Sequence, residues 1–173
     1  MTIAITVILA LVVVQRLVEL VYAERNTRAL LRRGAIEVGR AHYPFIVALH
    51  ALWLVAIVFM LPAEASIHWL LLALFLMLQA GRIWVIATLG PYWTTRIITL
   101  DGAPLIRSGP YRFVRHPNYL IVAGEIAVLP LVFGEVGVCL VFSVLNAALL
   151  FWRIRQEDAA LSVRRAVGMP SLG

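Results

Sequence analysis

The chain has 173 residues, 62% of them hydrophobic and 14% charged, with a mean hydropathy of +0.93. This is too apolar for an ordinary soluble domain; the length allows about four to six membrane spans in one domain, 1–173, and leaves no room for a second globular one. The net charge of +6 would suggest nucleic acid in a soluble protein, but all 15 basic residues are arginine and stand in blocks beside apolar runs, which reads as membrane orientation and no nucleic-acid partner.

Thr2 to about Tyr22 is apolar until Gln15, Arg16 and Glu19, and at ~1.5 Å per residue it is long enough to cross the hydrocarbon core. With no basic segment before it and no small-x-small cleavage site, it reads as a retained first span, not a removable signal. Arg16 and Glu19, three apart, share a helix face and suit a structural ion pair better than chemistry. Residues 23–41 hold five arginines with Leu30, Leu31 and Ile36 among them. They predict a separate amphipathic surface helix ending near Gly34, or a solvated basic loop.

The second span is predicted over 43–61. His42, Ile46 and His50 share a face there, and Trp53 follows. Without an accompanying carboxylate or thiolate these histidines suit a helix–helix contact better than a metal, and His50 suits a substrate contact; no metal site is expected. The third span, 66–89, carries Gln79 and Arg82 and is ended by Gly90 and Pro91. Residues 92–115 then read as an irregular loop of a length that usually carries function.

That loop leads into the run Gly109-Pro110-Tyr111-Arg112-Phe113-Val114-Arg115-His116-Pro117-Asn118-Tyr119, where arginine, histidine, tyrosine and asparagine cluster. Pro110 and Pro117 disfavour helix in the residues before them. A helix resuming after Pro117 places Arg115 and His116 at its N-terminus, where free N–H groups and the dipole favour an anion. A basic interfacial loop that merely orients the protein is the bland alternative.

A shorter apolar helix over 118–133, holding Glu125 and Pro130, and a longer one over 137–161 are predicted to form a hairpin around the turn at 134–137. Asn146, Leu150, Arg153 and Glu157 recur at helical spacing, so one stripe of the last helix is polar. The single Cys139 sits in an apolar run and offers no disulfide within the chain. The fold class is therefore all-α, an integral membrane protein of about five helices. Five arginines in 23–41, four in 92–116, four after residue 152 and none at the opposite ends place the N-terminus outside and the arginine-rich connections in the cytoplasm. Arg16, Glu19, His50, Gln79, Arg82, Glu125 and Asn146 then lie at similar depth, as a site or pathway or as separate pairs joining helices.

Gly109-Pro110-Tyr111 followed by Arg115-His116-Pro117-x-Tyr119, with Arg153-Ile154-x-x-Glu157-Asp158 later, resembles the signature of the isoprenylcysteine carboxyl methyltransferase family, integral-membrane enzymes that use S-adenosylmethionine. Ile121 stands where the family usually has glycine, Asp158 replaces a second late glutamate, and the aromatic tail of the eukaryotic enzymes is missing. Gln15-Arg16-Leu17-x-Glu19-Leu20, Arg25-Asn26-x-Arg28, Gly34-Ala35-x-Glu37-x-Gly39, His42-Tyr43-Pro44, Trp84 to Gly90 and Trp93 to Ile97 are similar to a bacterial branch associated with type III polyketide synthases. Its members O-methylate alkylpyrones or phenolic lipids.

The resemblance implies a cytoplasm-facing cofactor site in the cell membrane. Arg112, Arg115 and His116 would take anionic groups, Tyr111 and Tyr119 would stack, Pro117 and Asn118 complete the run, and Glu157 would take hydroxyls or amine. It implies that Arg153 and Glu157 lie near the reacting groups. From the residues themselves, His50 is read as a weak base or hydrogen-bond donor with a catalytic part, and His50, Trp53, Arg82 and Asn146 as acceptor contacts, Arg82 having no evident second use. The acceptor's chain is expected among Phe45, Trp53, Leu120 and Val144. Its partners would be membrane lipids and a lipophilic small molecule, with the oligomeric state open. Prenylcysteine carboxylate is the second acceptor class. A transporter or lipid-binding protein is the non-enzymatic alternative, and a sterol-type reductase the enzymatic one.

Overall fold

The computed structural model describes residues 2–62, 64–103 and 106–167, with side chains to Ala159. Thr2 caps the first helix, α1 (Ile3–Arg32), by accepting from the Ile5 amide. This helix does not stop at Tyr22; it runs through the arginine-rich stretch expected to lie as a separate surface helix. Residues 20–32 contain neither glycine nor proline, and Glu24 and Arg28 pair one turn apart at 2.8 Å, so nothing interrupts it. It ends where the Gly34 amide reaches the Leu31 carbonyl and the Ala35 amide the Leu30 carbonyl, with Gly34 at φ +89°, a closure that needs a left-handed residue at that point.

Four more helices follow: α2 (Tyr43–Met60), α3 (Trp69–Leu89), α4 (Pro117–Val132) and α5 (Val136–Val167). Between them, Ile36–Val38 (β1) pairs antiparallel with Ile97–Thr99 (β2), matching Glu37 to Ile98. The loop expected to be irregular thus contains a short strand, because both triplets are rich in β-branched residues that fit a pleated pair. α1, α2, α3 and α5 are long and apolar enough to cross a membrane, and α4 is a shorter apolar helix of 16 residues. Their outer faces carry apolar side chains such as Leu70 (84% exposed), Met77 and Val144, a surface stable only against lipid. The protein is a multi-pass, all-α membrane protein.

The core holds the helices at the end away from the strands. Ile5 and Leu9 of α1, Trp53 and Ile57 of α2, Phe75 of α3, and Ile126 and Leu129 of α4 close on one another there. A smaller cluster of Ala23, Val85 and Trp93 fixes the other end of α1 against α3. Asn26 adds hydrogen bonds to the Gly90 carbonyl at 3.1 Å and the Trp93 carbonyl at 2.8 Å. Between the two clusters the packing gives way to buried polar groups and cavities.

Candidate active site

Among the described residues, the buried charges around the cavities divide into those paired with an opposite charge and Arg153, which is not. Arg16 lies 2.9 Å from Glu19 and 2.9 Å from Glu125. Arg82 binds both oxygens of Glu125 and lies 3.3 Å from Glu19. Gln79 donates to Glu125 at 2.9 Å, and Gln15 donates to Gln79 at 2.7 Å. Two arginines and two glutamates from α1, α3 and α4 therefore cancel, as buried charge must. The expected Arg16–Glu19 pair is present but belongs to this larger network. Arg82, expected to be free for the acceptor, is committed to carboxylates.

Arg153 is different. It is 7% exposed and pairs with no carboxylate among the described residues. Its Nε donates to the Tyr119 hydroxyl at 2.8 Å, and its Nη1 lies 3.5 Å from Nε2 of buried His42. Tyr119 in turn donates to Glu157, and His116 stacks on Tyr119 with ring centroids 5.2 Å apart. His116 Nδ1 is 3.9 Å from Glu157. His42, Arg153, Tyr119, Glu157 and His116 thus form one chain of contacts across α2, α5 and α4.

Two cavities meet at this chain. The first, about 180 Å³, is lined by Tyr92 to Thr94, Arg96 to Thr99, Tyr111, Arg115, His116 and Glu157. Pro117 at the first position of α4 ends the loop and aims that helix N-terminus toward the space. Gly109, at φ +55° with its α-carbon face against the Thr88 side chain, lets the loop pass close enough to place Tyr111 in the wall. Burial, with Glu157 nearby, raises the Tyr111 phenol above its ordinary pKa, so it stays a neutral donor. His116 Nε2, 3.7 Å from the Asp158 carboxylate, and Asn118 Oδ1 are buried and make no hydrogen bond within the described residues. An open donor–acceptor set of this kind, with aromatic and cationic walls, fits a polar cofactor carrying its own hydroxyls, amine and carboxylate.

The second cavity, about 250 Å³, is apolar and lies among α1, α2 and α5, bounded by Val13, Leu17, Leu20, Val47, Leu54 and Leu150. Trp93, Thr94, Asn118, Tyr119 and Arg153 line both cavities. One face of Arg153 therefore belongs to the polar space and another to the apolar one.

Of the residues singled out from sequence, Tyr111, Arg115, His116, Asn118, Tyr119, Arg153 and Glu157 are brought together around the first cavity. His50, Arg82 and Asn146 line the second, and His50 does not reach the shared wall. Arg112 is exposed and covers the Phe113 ring at 5.2 Å, and Pro117 is buried as a helix start, so neither lines the space. Trp53 is fully buried in the core and lines neither cavity; its place in the pattern reflected packing. Phe45, Leu120 and Val144, expected to hold an alkyl chain, are 58%, 62% and 69% exposed on the outer surface. The apolar cavity is lined instead by α1 and α2 residues such as Leu17 and Leu54.

Sequence reasoning did not single out Tyr43, Thr94, Thr95 or the contact of His42 with Arg153. Tyr43 and Thr95 are hydrogen-bonded at 3.1 Å at the mouth of the apolar cavity. For His42, Gly39 was a readable signal: at φ +63°, a β-carbon there would come within 2.8 Å of the His42 ring.

The Isoprenylcysteine carboxyl methyltransferase (ICMT) family profile matches residues 70–163. The chain belongs to this family. The match covers α3, α4, the loop between them and most of α5, the segments that supply Tyr111, His116, Tyr119, Arg153 and Glu157 to the polar cavity. An uncharacterized protein of Bacillus subtilis (strain 168), YpbQ, is 39% identical over 158 residues, 89% of this chain and 94% of that protein. An uncharacterized protein of Haemophilus influenzae is 29% identical over 143 residues, 80% of this chain and 83% of that protein. At 89% of this chain, the likeness to the Bacillus subtilis protein reaches beyond the profile match to α2, which helps wall the apolar cavity. No solved structure matches at a significant level. Family membership makes this chain a membrane methyltransferase.

Proposed function

We propose that the protein is an S-adenosylmethionine-dependent O-methyltransferase whose acceptor is a lipophilic molecule with an acidic oxygen, an alkylpyrone or phenolic polyketide lipid. The supporting observation is Arg153, a buried cation without a carboxylate partner in the wall between a polar and an apolar cavity. An unpaired buried charge is costly unless a ligand brings the counter-charge, and an ionised phenol or hydroxypyrone brings it on the reacting oxygen. When bound in the polar cavity, S-adenosylmethionine supplies an electrophilic methyl carbon.

The residues here then act by holding. His116, Asn118 and Glu157 present unpaired or half-used polar atoms to the cofactor side. Tyr119 links Glu157 to Arg153 and fixes the guanidinium by its Nε while His42 meets Nη1, leaving Nη2 for the acceptor oxygen. An oxygen already ionised needs orientation and exclusion of water more than a strong base, so positioning supplies much of the rate. His50, set back from the shared wall, is left to the acceptor's body.

Prenylcysteine carboxylate also carries an anionic oxygen and is the second reading. Purified protein with radiolabelled S-adenosylmethionine, offered an alkylpyrone, an alkylresorcinol and N-acetyl-farnesylcysteine side by side, separates the two. The polyketide lipids are expected to be methylated. Label in the farnesylcysteine alone would overturn that ranking.

A further inference from the structure

The apolar cavity is not apolar at its inner end. α2 and α5 pack antiparallel, with His42 against Arg153 at 3.5 Å. Seven residues inward from Tyr43 is His50, and seven inward from Arg153 is Asn146, so both lie about two turns, ~10 Å, inward along their helices from the level of the His42–Arg153 contact. Both line the cavity. Asn146 is 3% exposed, and its carboxamide bonds to no described residue. His50 Nδ1–H donates to the Ile46 carbonyl at 2.8 Å. A carbonyl only accepts, so that bond fixes the proton on Nδ1 and leaves Nε2 as an acceptor. Three residues further in on each helix, Trp53 Nε1 and Ser143 Oγ are also buried without partners.

A hydrocarbon tail seated here would leave the Asn146 amide and His50 Nε2 unpaired, which is the costly arrangement. One hydroxyl would satisfy both, its oxygen accepting from the amide and its proton going to Nε2. The tail has another way out: Val13 and Leu17 of α1 and Val47 of α2 line the cavity and are themselves partly exposed on the outer surface. Side-chain reach shortens the ~10 Å between levels toward the span of one oxygenated ring.

We propose that the acceptor carries a second hydroxyl, distinct from the oxygen that is methylated, and that Asn146 and His50 bind it at the inner end of the cavity. This rests on the reading of the chain as a methyltransferase of lipophilic oxygen acceptors, and within that class it favours dihydroxylated phenolic rings over alkylpyrones, which have one hydroxyl. Asn146 and His50 are then specificity-determining residues, with no part in the bond-making step.

The test compares a 5-alkylresorcinol with a 3-alkylphenol of the same chain length, using purified full-length protein, radiolabelled S-adenosylmethionine and the Asn146→Leu and His50→Phe variants. Thermal stabilisation by S-adenosylhomocysteine checks that each variant is folded. After halving the resorcinol value for its two equivalent oxygens, wild type should favour it about tenfold in kcat/KM, and each variant should reduce that ratio to threefold or less. Equal kcat/KM for the two acceptors in wild type, or an unchanged ratio in both variants, overturns the second-hydroxyl site. If neither compound is methylated, the reading of the acceptor fails. The subsite is then decided by thermal shift with the same pair in the presence of S-adenosylhomocysteine: greater stabilisation by the resorcinol, lost in Asn146→Leu, supports it, and equal stabilisation overturns it.

Discussion

At the scale of single residues, the difference between paired and unpaired charge separates support from chemistry. Glu157 and His116 face the polar cavity, so replacing either by alanine should weaken S-adenosylhomocysteine binding by ~1–3 kcal/mol, the range for hydrogen bonds to charged or buried groups. Arg153→Ala should instead lower kcat far more than cofactor affinity, because on the proposed reading its remaining donor faces the acceptor from the apolar cavity's wall; calorimetry beside single-turnover rates distinguishes the cases. At the opposite end of the molecule, Glu135 is 5% exposed with both carboxylate oxygens unpartnered, and desolvation pushes its pKa up to about 7. The folded state therefore holds its proton more tightly than the unfolded chain does. Stability contributed by that proton is present below about pH 4.5, the ordinary value, and is lost as pH rises toward 7. Glu135→Gln should melt with wild type at pH 4 and increasingly above it from pH 5 to 8. Parallel melting curves across that range would mean the carboxyl finds a partner or water.

At the scale of elements, α1 is fastened through its polar residues as well as its apolar stripe. Glu125 of α4 neutralises Arg16 of α1 and Arg82 of α3 together, so removing it leaves two buried cations sharing the single carboxylate of Glu19. Glu125→Leu should cost ~3–5 kcal/mol, the penalty for breaking a buried ion network. Arg82→Leu combined with Glu125→Leu should cost less than Glu125→Leu alone, since the Arg16–Glu19 pair at 2.9 Å survives. Reversible unfolding in mixed micelles measures both, and a double variant weaker than the single one would show that Arg82 has another essential partner. The helices themselves were legible because an apolar run of span length has few alternatives, and the hairpin because Gly134 breaks it. The junction of α1 with its arginine-rich extension was not, since surface arginines suit an interfacial helix and a straight continuation equally. The β1–β2 pair escaped for a different reason: two triplets about sixty residues apart carry no local period. Arg82 was misread because its partners, Glu19 and Glu125, are distant in sequence, whereas Tyr119, Arg153 and Glu157 could be grouped from motif alone.

At the scale of the whole molecule, the question is which side of the bilayer the polar cavity faces. The structure gathers the arginine-bearing connections at one end: β1 pairs with β2, His42 touches Arg153, and Tyr119 of α4 bonds to Glu157 of α5. Arg40, Arg96, Arg115 and Arg155 all lie in that end, whereas the turns near Glu64 and Gly134 at the other carry no arginine. Arginine near span ends is retained in the cytoplasm, so the N-terminus should be outside and the polar cavity should open to the cytoplasm, where a soluble methyl donor is found. Cys139 is the single cysteine and is buried, so a variant lacking it gives a clean background for labelling. Cysteine placed at Glu64 or at Val136, both exposed, should react with a membrane-impermeant maleimide added to intact cells. Cysteine placed at exposed Arg107 should react only after the cells are opened. Protection of the first two with labelling of the third would invert the protein, and would put the polar cavity on the side where the positive-inside rule says it does not belong.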